Sequence, residues 1–247
     1  MSETQFNLPT EVIDLPSKGL LYPEGHPLAE GKVEIKYMTA KEEDILTNQN
    51  YIKNGTVIDK LIQSLVVTKF NYDDLLVGDK NAIMIAARIL AYGSSYDVTY
   101  DGIEQTIDLS ELNNKEIDES LFTDRNNEFS FTLPHTKNDI TFRLLTGHDE
   151  KKIEAELKGL KKISKTTSAE VTTRLIRTLK SVNGSSELKD IREFVNNYFL
   201  AKDVREFRKH YASITPDVDM DVNVVKSDGE DEVIKLPIEL NFFWPDS

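Results

Sequence analysis

Two passages of the chain share one pattern of apolar and polar positions. Residues 33–37 read VEIKY and residues 140–144 read ITFRL, and this alternation predicts a half-buried β-strand in each passage. A threonine follows each strand, and an acid follows the threonine three residues later: Thr39 with Glu42, and Thr146 with Asp149. This spacing predicts a helix start, because the acid then lies where the helix dipole favours negative charge. The sequence therefore predicts strand, cap and helix in the same order twice.

Helical and turn patterns predict the other elements of the first half. One apolar stripe of an amphipathic helix is formed by Ile58, Leu61, Ile62 and Leu65. A second helix, predicted to be capped by Asp79 and to stop at Gly93, is apolar on nearly every side and must lie centrally in its core. Residues 98–109 alternate on either side of Asp101-Gly102, a pair typical of a tight hairpin turn.

The second half of the chain repeats this order. The matching features are Leu15-Pro16 with Leu133-Pro134, residues 57–65 with 171–179, Asp79 with Asp203, and the turns at 101–102 and 227–230. A helical region from Ile191 to Tyr211 carries Asp203. Agreement of the whole order favours an ancient internal duplication over the alternative of two unrelated α+β domains.

The predicted fold class is α+β, with two similar modules that arose by internal duplication. Each module is predicted to be a small antiparallel β element with about three helices. The predicted boundaries are an N-terminal extended arm and loop at 1–31, a first module at 32–112, a linker at 113–127, a second module at 128–239, and an aromatic C-terminal tail at 240–247.

Both ends of the chain carry apolar residues that need a surface to cover them. The segment at 14–23 is punctuated by Pro and Gly and cannot be helical, yet it is too apolar for a solvated tail. It either lies across the chain's own core or docks on a partner. The C-terminal tail either folds back on the second core or anchors a partner, since frayed ends rarely carry aromatic residues. The candidate partner-binding residues are Leu15, Pro16, Leu20, Leu21, Tyr22, Phe242, Phe243 and Trp244.

Composition narrows the classes of function. The 43 acidic and 30 basic side chains give a net charge of −13, which argues against nucleic acid and anionic lipid as partners. The sequence has no cysteine, which excludes disulfides, thiolate catalysis and cysteine-ligated zinc. No apolar run approaches the roughly 18 residues of a membrane span, and the N-terminus lacks a secretion pattern, so we expect a cytoplasmic protein. The lysine-rich helix at 151–165 is either a solvated face or a surface for an acidic partner.

Patterns that specify a reaction are weak in this sequence. The four histidines are scattered without a metal-binding spacing. The acidic pairs Glu42-Glu43 and Asp149-Glu150 could be catalytic acids, but their position after a threonine favours helix starts. Residues 217–223 resemble a calcium loop that lacks its glycine and its terminal glutamate. We therefore predict no catalytic residue, no cofactor and no metal site.

Three stretches are distinctive: DLPSKGLLYP at 14–23, YMTAKEEDILTN at 37–48, and the closing LP at 236–237 with NFFWP at 241–245. Together they resemble the baseplate hub and hub-assembly proteins of T4-type contractile-tailed bacteriophages. The resemblance implies a non-enzymatic structural or assembly component of the hub that acts by protein–protein contacts. The implied partners are other hub or tail proteins, such as the tape measure or the central spike complex. The implied location is the host cytoplasm during assembly, and then the tail baseplate of the virion.

The resemblance leaves alternatives open. One is a transient hub-assembly chaperone that is absent from the mature virion. Others are a metal- or small-molecule-dependent cytoplasmic enzyme, which would need a pocket with converging acids and histidine, and a host adaptor unrelated to phage. Some relatives carry cysteine pairs in the hairpin turns, which suggests zinc-stapled knuckles. This chain has Asp101-Gly102 and Ser227-Asp228-Gly229 at those places, so we expect packing alone to hold its hairpins.

Overall fold

The chain folds as an α+β protein of short strands and helices, and the predicted class is confirmed. The structure is a computed structural model that describes residues 8–122, 124–163, 169–236, 238 and 240–243. The first half contains β1 (Thr10–Asp14), β2 (Lys32–Lys36), α1 (Ala40–Leu46), α2 (Gln49–Asn54), α3 (Val57–Leu65), α4 (Val77–Tyr92), β3 (Ser95–Tyr100) and β4 (Ile103–Asp108). The second half contains β5 (Phe129–Thr132), β6 (Asp139–Phe142), α5 (Gly147–Ile163), α6 (Glu170–Thr178), β7 (Leu179–Val182), α7 (Leu188–Asn197), α8 (Ala201–Ile214), β8 (Asp221–Val225) and β9 (Asp231–Lys235). Within these ranges, no helix has the length and apolar character that a membrane span requires.

The sheets in this part of the chain are small and antiparallel. β1 pairs with β2, β3 with β4, and β8 with β9, while β5, β6 and β7 form a three-stranded sheet in that order. The predicted hairpin at Asp101-Gly102 is confirmed. Both turn residues have positive φ, 49° and 78°, which suits a two-residue turn between twisted strands.

The two predicted passages of strand, cap and helix are also confirmed. In the first, the N–H and the hydroxyl of Thr39 donate to the Glu42 carboxylate at 3.0 and 2.7 Å. In the second, the N–H and the hydroxyl of Thr146 donate to Asp149, each at 3.2 Å. The acid thus reaches back over the first turn of α1 or α5 and fixes the angle at which the strand enters the helix.

One hydrophobic core runs through both halves of the chain. It joins buried residues of the first half, such as Ile35 and Ile83, to buried residues of the second, such as Phe142 and Phe207. Backbone contacts cross the same junction, where the Gly147 N–H donates to the Leu75 carbonyl at 2.8 Å. The order of elements is similar in the two halves but not identical, because β7 separates α6 from α7 whereas α1 to α4 follow one another without a strand. An origin by duplication stays a prediction.

The described part of the predicted N-terminal arm and loop, residues 8–31, belongs to the first half. β1 pairs with β2 along its whole length, from Thr10 opposite Lys36 to Asp14 opposite Lys32. The segment predicted as a linker also contacts this half, since the Arg125 guanidinium lies 3.3 Å from the Tyr22 and Ala29 carbonyl oxygens.

Two predicted helix boundaries are wrong. The region from Ile191 to Tyr211 is interrupted, because α7 ends at Asn197 and α8 begins at Ala201. The half-buried Phe199 in the break stacks on Phe194 with ring centroids 5.1 Å apart. Asp79 is not the cap of α4, which begins at Val77, although the helix ends at Gly93 as predicted.

Candidate functional site

Four fully buried carboxylates occupy equivalent places in four helices. Each belongs to the third residue of its helix: Glu42 in α1, Asp79 in α4, Asp149 in α5 and Asp203 in α8. A carboxylate at this position is stabilised by the positive end of the helix dipole. Because such buried groups are the usual candidates for chemistry, their partners decide whether they are available for it.

Asp79 is occupied by the segment that precedes β2. Its carboxylate accepts hydrogen bonds from the Ser17 N–H at 2.9 Å, the Ser17 hydroxyl at 2.7 Å and the Tyr22 hydroxyl at 2.7 Å. The Tyr22 oxygen in turn accepts from the Leu76 N–H at 3.1 Å. Asp79 therefore fastens the extended 14–23 segment to the start of α4.

The matching acid in the second half has matching partners. Asp203 accepts from the His135 N–H at 2.9 Å, and from the N–H and the hydroxyl of Thr136 at 3.0 and 2.8 Å. These donors follow Leu133-Pro134, as Ser17 follows Leu15-Pro16. The predicted correspondence of Asp79 with Asp203 thus extends to the loops that the two acids hold.

The other two acids also have equivalent cation partners. Lys36 lies 2.7 Å from the Glu42 carboxylate, and Arg143 lies 2.5 Å from Asp149. Each cation precedes its acid by six residues, at the end of the strand that enters the helix. All four buried carboxylates are therefore paired within the fold.

The environments of Asp79 and Glu42 shift their pKa values in opposite directions. Burial raises the pKa of Asp79, and the hydrogen bonds from Tyr22 and Ser17 offset only part of that effect. Burial would also raise the pKa of Glu42, but hydrogen bonds from Lys36, Ser64 and Thr39 outweigh it and lower the pKa to about 2. Burial and the nearby Asp79 carboxylate raise the pKa of the Tyr22 hydroxyl, which keeps it a hydrogen-bond donor.

The candidate partner-binding residues of the N-terminal segment lie in the chain's own core. Leu15, Leu21 and Tyr22 expose 1%, 6% and 2% of their surface. Pro16 is also buried, and Leu20 is partly buried against the same core. The apolar residues of the segment therefore lie across the chain's own core, which is the first of the two predicted alternatives.

Two candidate residues near the C-terminus are buried as well, at a place that the sequence did not predict. Phe242 and Phe243 are fully buried, and the Phe242 ring packs against Tyr96 of β3 with centroids 5.1 Å apart. The tail thus folds back on the first half, whereas the second core was predicted. Trp244 lies outside the described residues.

Arg88 of α4 fixes this tail, and sequence reasoning missed it. The side chain is 1% exposed, and its guanidinium donates to the Phe242 and Gly93 carbonyls, each at 3.0 Å, and to the Ser95 carbonyl at 3.3 Å. The position of Arg88 directly after the apolar run 82–87 of α4 was a signal that such partners exist, because a buried charge requires them.

Hydrogen bonds join the two hairpins, although we expected from the sequence that packing alone would hold them. The Asp101 carboxylate accepts from the N–H and the hydroxyl of Ser227 at 3.0 and 2.5 Å. The Gln105 side chain also pairs with both backbone groups of Val225, at 2.9 and 2.8 Å. These contacts connect the turn of β3 and β4 to the end of β8 and the turn that follows it.

A small cavity of about 180 Å³ lies at the junction of the halves. Its ionisable lining residues are Glu150, Arg174, Tyr211 and Asp217. Glu150 and Arg174 pair with each other at 2.7 Å, and Asp217 accepts from the Asn81 amide at 2.9 Å. Burial raises the pKa of Tyr211 to about 12. No histidine is among the described residues around the cavity, and no metal-binding group of acids and histidines occurs in the described ranges.

A larger concave surface lies on the outer side of the second half, between α6, the end of α7 and α8. We refer to it as the α6–α8 groove, and its volume is about 700 Å³. Its apolar lining consists of Val171, Leu175, Val195, Phe199, Ala201, Val204 and Ala212, and its basic lining of Arg205, Arg208 and Lys209, with Thr172 beside them. No acidic side chain is among the described residues that line it.

The fold and these contacts define the chain as an α+β protein whose buried polar groups are used to fasten loops and termini to helices. Comparison with known proteins finds no matching family model, no matching curated protein and no matching solved structure.

Proposed function

We propose that this chain is a non-enzymatic structural or assembly component of the baseplate hub of a contractile-tailed bacteriophage. It acts by contacts with other hub or tail proteins in the host cytoplasm, where the tail is assembled. The proposal starts from the resemblance of three sequence stretches to hub proteins. The net charge of −13 supports partners that are neither nucleic acid nor anionic membrane.

Most of the described residues of the three resembling stretches lie in or against the first half of the chain. The stretch at 14–23 is fastened to Asp79 of α4, and the closing stretch to Arg88 of the same helix. The stretch at 37–48 contains α1, which packs on α3, and α3 packs on α4. The resemblance is thus carried by residues that hold a fold together, which fits a family defined by its architecture.

The observation that carries the proposal is the contrast between the buried polar groups and the α6–α8 groove. The four buried carboxylates and Arg88 all have partners within the chain. The α6–α8 groove, in contrast, is a mostly apolar surface open to solvent. A surface of this kind suits contact with another protein.

A phage genetic experiment tests the proposed function. The gene is disrupted in the phage that encodes it, and infected cells are examined by electron microscopy for baseplates and tails. We expect phage heads without functional tails, and rescue by a plasmid copy of the gene. Normal tails in the absence of the protein would overturn the proposal.

Mass spectrometry of purified particles, together with co-purification from infected cells, then separates the two forms of the role. A structural subunit is recovered from both, whereas an assembly chaperone is recovered only from the infected cells.

A further inference from the structure

The floor of the α6–α8 groove is formed by the face of α8 that points away from the core. One face of this helix, with Asp203, Phe207 and Ile214, is buried in the core. The groove is lined from the other side of the helix by residues 201, 204, 205, 208, 209 and 212. At about 1.5 Å per residue they span roughly 16 Å, the length of three helical turns.

One apolar residue of the groove lining is itself open to solvent, since Val171 of α6 is 48% exposed. Tyr198 and Leu200, which flank the lining residue Phe199 in the chain, are 59% and 51% exposed. Apolar side chains that are left exposed beside a concave surface are typical of a protein interaction site.

The charge of the groove is opposite to that of the chain. Arg205, Arg208 and Lys209 line it without any acidic residue, although the whole chain has 43 acids and 30 bases. Lys209 pairs with Glu206 at 2.9 Å, whereas neither Arg205 nor Arg208 has an ion pair within 4 Å in the described ranges. These two guanidinium groups are therefore available to carboxylates of a partner.

Two lysines of the lysine-rich helix α5 are less available to an acidic partner than Arg205 and Arg208 are. Lys151 pairs with Asp73 at 2.5 Å, and Lys158 donates to the Asn54 carbonyl at 2.8 Å. Neighbouring groups of the chain thus already occupy these two lysines.

We propose that the α6–α8 groove binds an amphipathic helix of a partner protein that is apolar on one face and acidic along its edges. Leucine-type side chains on its apolar face lie over Val171, Val204 and Phe199, and its acids reach Arg205 and Arg208. This is the helix-in-groove mode of recognition, in which apolar anchors recur every three or four residues. This proposal rests on the proposed function, which requires a protein partner, and adds the chemistry of the surface by which that partner binds.

A designed peptide serves as the probe. It is a 16-residue helix with leucines at positions 3, 6, 7, 10 and 14 and glutamates beside them, and its control replaces every glutamate by glutamine. Binding to the full chain is measured by fluorescence anisotropy at low and high salt. We expect the acidic peptide to bind at least about tenfold more tightly than the neutral one, and to weaken as salt is raised.

Variants of the chain locate the binding site. Ala212→Glu places a charge at an exposed position of the groove, and Arg208→Glu reverses a charge of its basic lining. We expect each substitution to weaken binding by about tenfold or more. The matched control is Lys41→Glu, which reverses an exposed charge on the remote helix α1 and should leave binding unchanged. Circular dichroism verifies that all three variants are folded.

Three results would overturn the inference: no binding of the acidic peptide at millimolar concentration, equal binding of both peptides, or equal binding to all variants. Sedimentation of the chain alone gives a fourth. If it is a dimer that Ala212→Glu converts to a monomer, the groove is occupied by a second copy. If a phage carrying Ala212→Glu makes normal tails while disruption of the gene abolishes them, the hub function stands and the groove inference fails.

Discussion

At the scale of single residues, the four buried carboxylates show how a polar group can specify a fold. Each carboxylate is placed near the start of a helix and accepts hydrogen bonds from an adjacent loop or strand. The loop or strand is thereby held in one position relative to the helix. A buried carboxylate stabilises only the arrangement that supplies its donors, because leaving the charge unpaired is costly. The contacts of Glu42 depend most directly on the ionisation of its carboxylate, because one of its donors is the Lys36 ammonium group. Its other donors are Ser64 and Thr39.

Glu42→Gln should remove a stabilising contribution that depends on pH. The pKa of Glu42 is lowered from 4.5 to about 2 by the fold, so the contribution is complete above about pH 5 and is lost as the pH falls toward 2. By linkage, the wild type should exceed the variant in free energy of unfolding by about 3 kcal/mol at pH 7, and by progressively less below pH 5. Urea unfolding followed by circular dichroism at pH 7, 5 and 3.5 measures this difference.

Glu43→Gln is the control for this substitution, since it removes an exposed charge from the same turn of α1. A difference between the wild type and Glu42→Gln that is the same at all three pH values would contradict the assigned role of the carboxylate.

At the scale of elements, local signals predicted what local forces determine. The alternating strands, the threonine–acid helix starts and the Asp101-Gly102 turn are all confirmed, because strand period, capping and turn conformation depend on residues near in sequence. The break between α7 and α8 has no Pro or Gly to mark it, since residues 198–200 are Tyr, Phe and Leu. The break lies where the half-buried Phe199 packs on Phe194 and on Phe207 of α8, and the sequence pattern does not reveal these contacts.

The same distinction explains what the sequence could not predict about the candidate sites. The apolar residues of the 14–23 segment indicated a covering surface, but the pattern alone does not say whether the surface belongs to this chain. The tail is held by a contact between Arg88 and Phe242, which are 154 residues apart. The groove required the relative positions of α6, α7 and α8, although Val204, Arg205 and Arg208 could have been seen as a second face of one helix.

Gly78→Ala should weaken the junction at which α4 meets the second half. A Cβ at Gly78 would lie 1.9 Å from the Pro216 carbonyl oxygen. The backbone of α4 and the backbone at Pro216 would therefore have to separate. The matched control is Gly159→Ala in α5, where no atom lies within 4 Å of the added carbon. We expect Gly78→Ala to lower the free energy of unfolding by about 2 kcal/mol or more through overpacking, and Gly159→Ala to raise it by about 0.5–1 kcal/mol through helix propensity.

Chemical denaturation of the two glycine variants beside the wild type measures both signs. If Gly78→Ala proved as stable as Gly159→Ala, α4 and residues 216–217 would not be in the close contact described.

At the scale of the whole molecule, the two halves are joined more closely than two independent modules would be. They share one hydrophobic core, and their hairpins are joined by a hydrogen bond between Asp101 and Ser227. The Phe242 carbonyl near the C-terminus accepts a hydrogen bond from Arg88 of the first half. Neither half can therefore lose its structure without exposing apolar surface and buried polar groups of the other. Whatever the origin of the two halves, the stability of each half depends on its contacts with the other.

This arrangement predicts a single cooperative unfolding transition for the full chain. In scanning calorimetry, the calorimetric and van't Hoff enthalpies should agree, since no intermediate with one folded half is populated. Phe207→Ala, at a side chain of the second half that is 1% exposed, should cost about 3–5 kcal/mol and reduce hydrogen-exchange protection in α4 as well as in α8. Tyr198→Ala, at a side chain that is 59% exposed, is the control and should change stability by less than about 0.5 kcal/mol. Two separate transitions, of which Phe207→Ala shifts only one, would instead mean that each half folds on its own core.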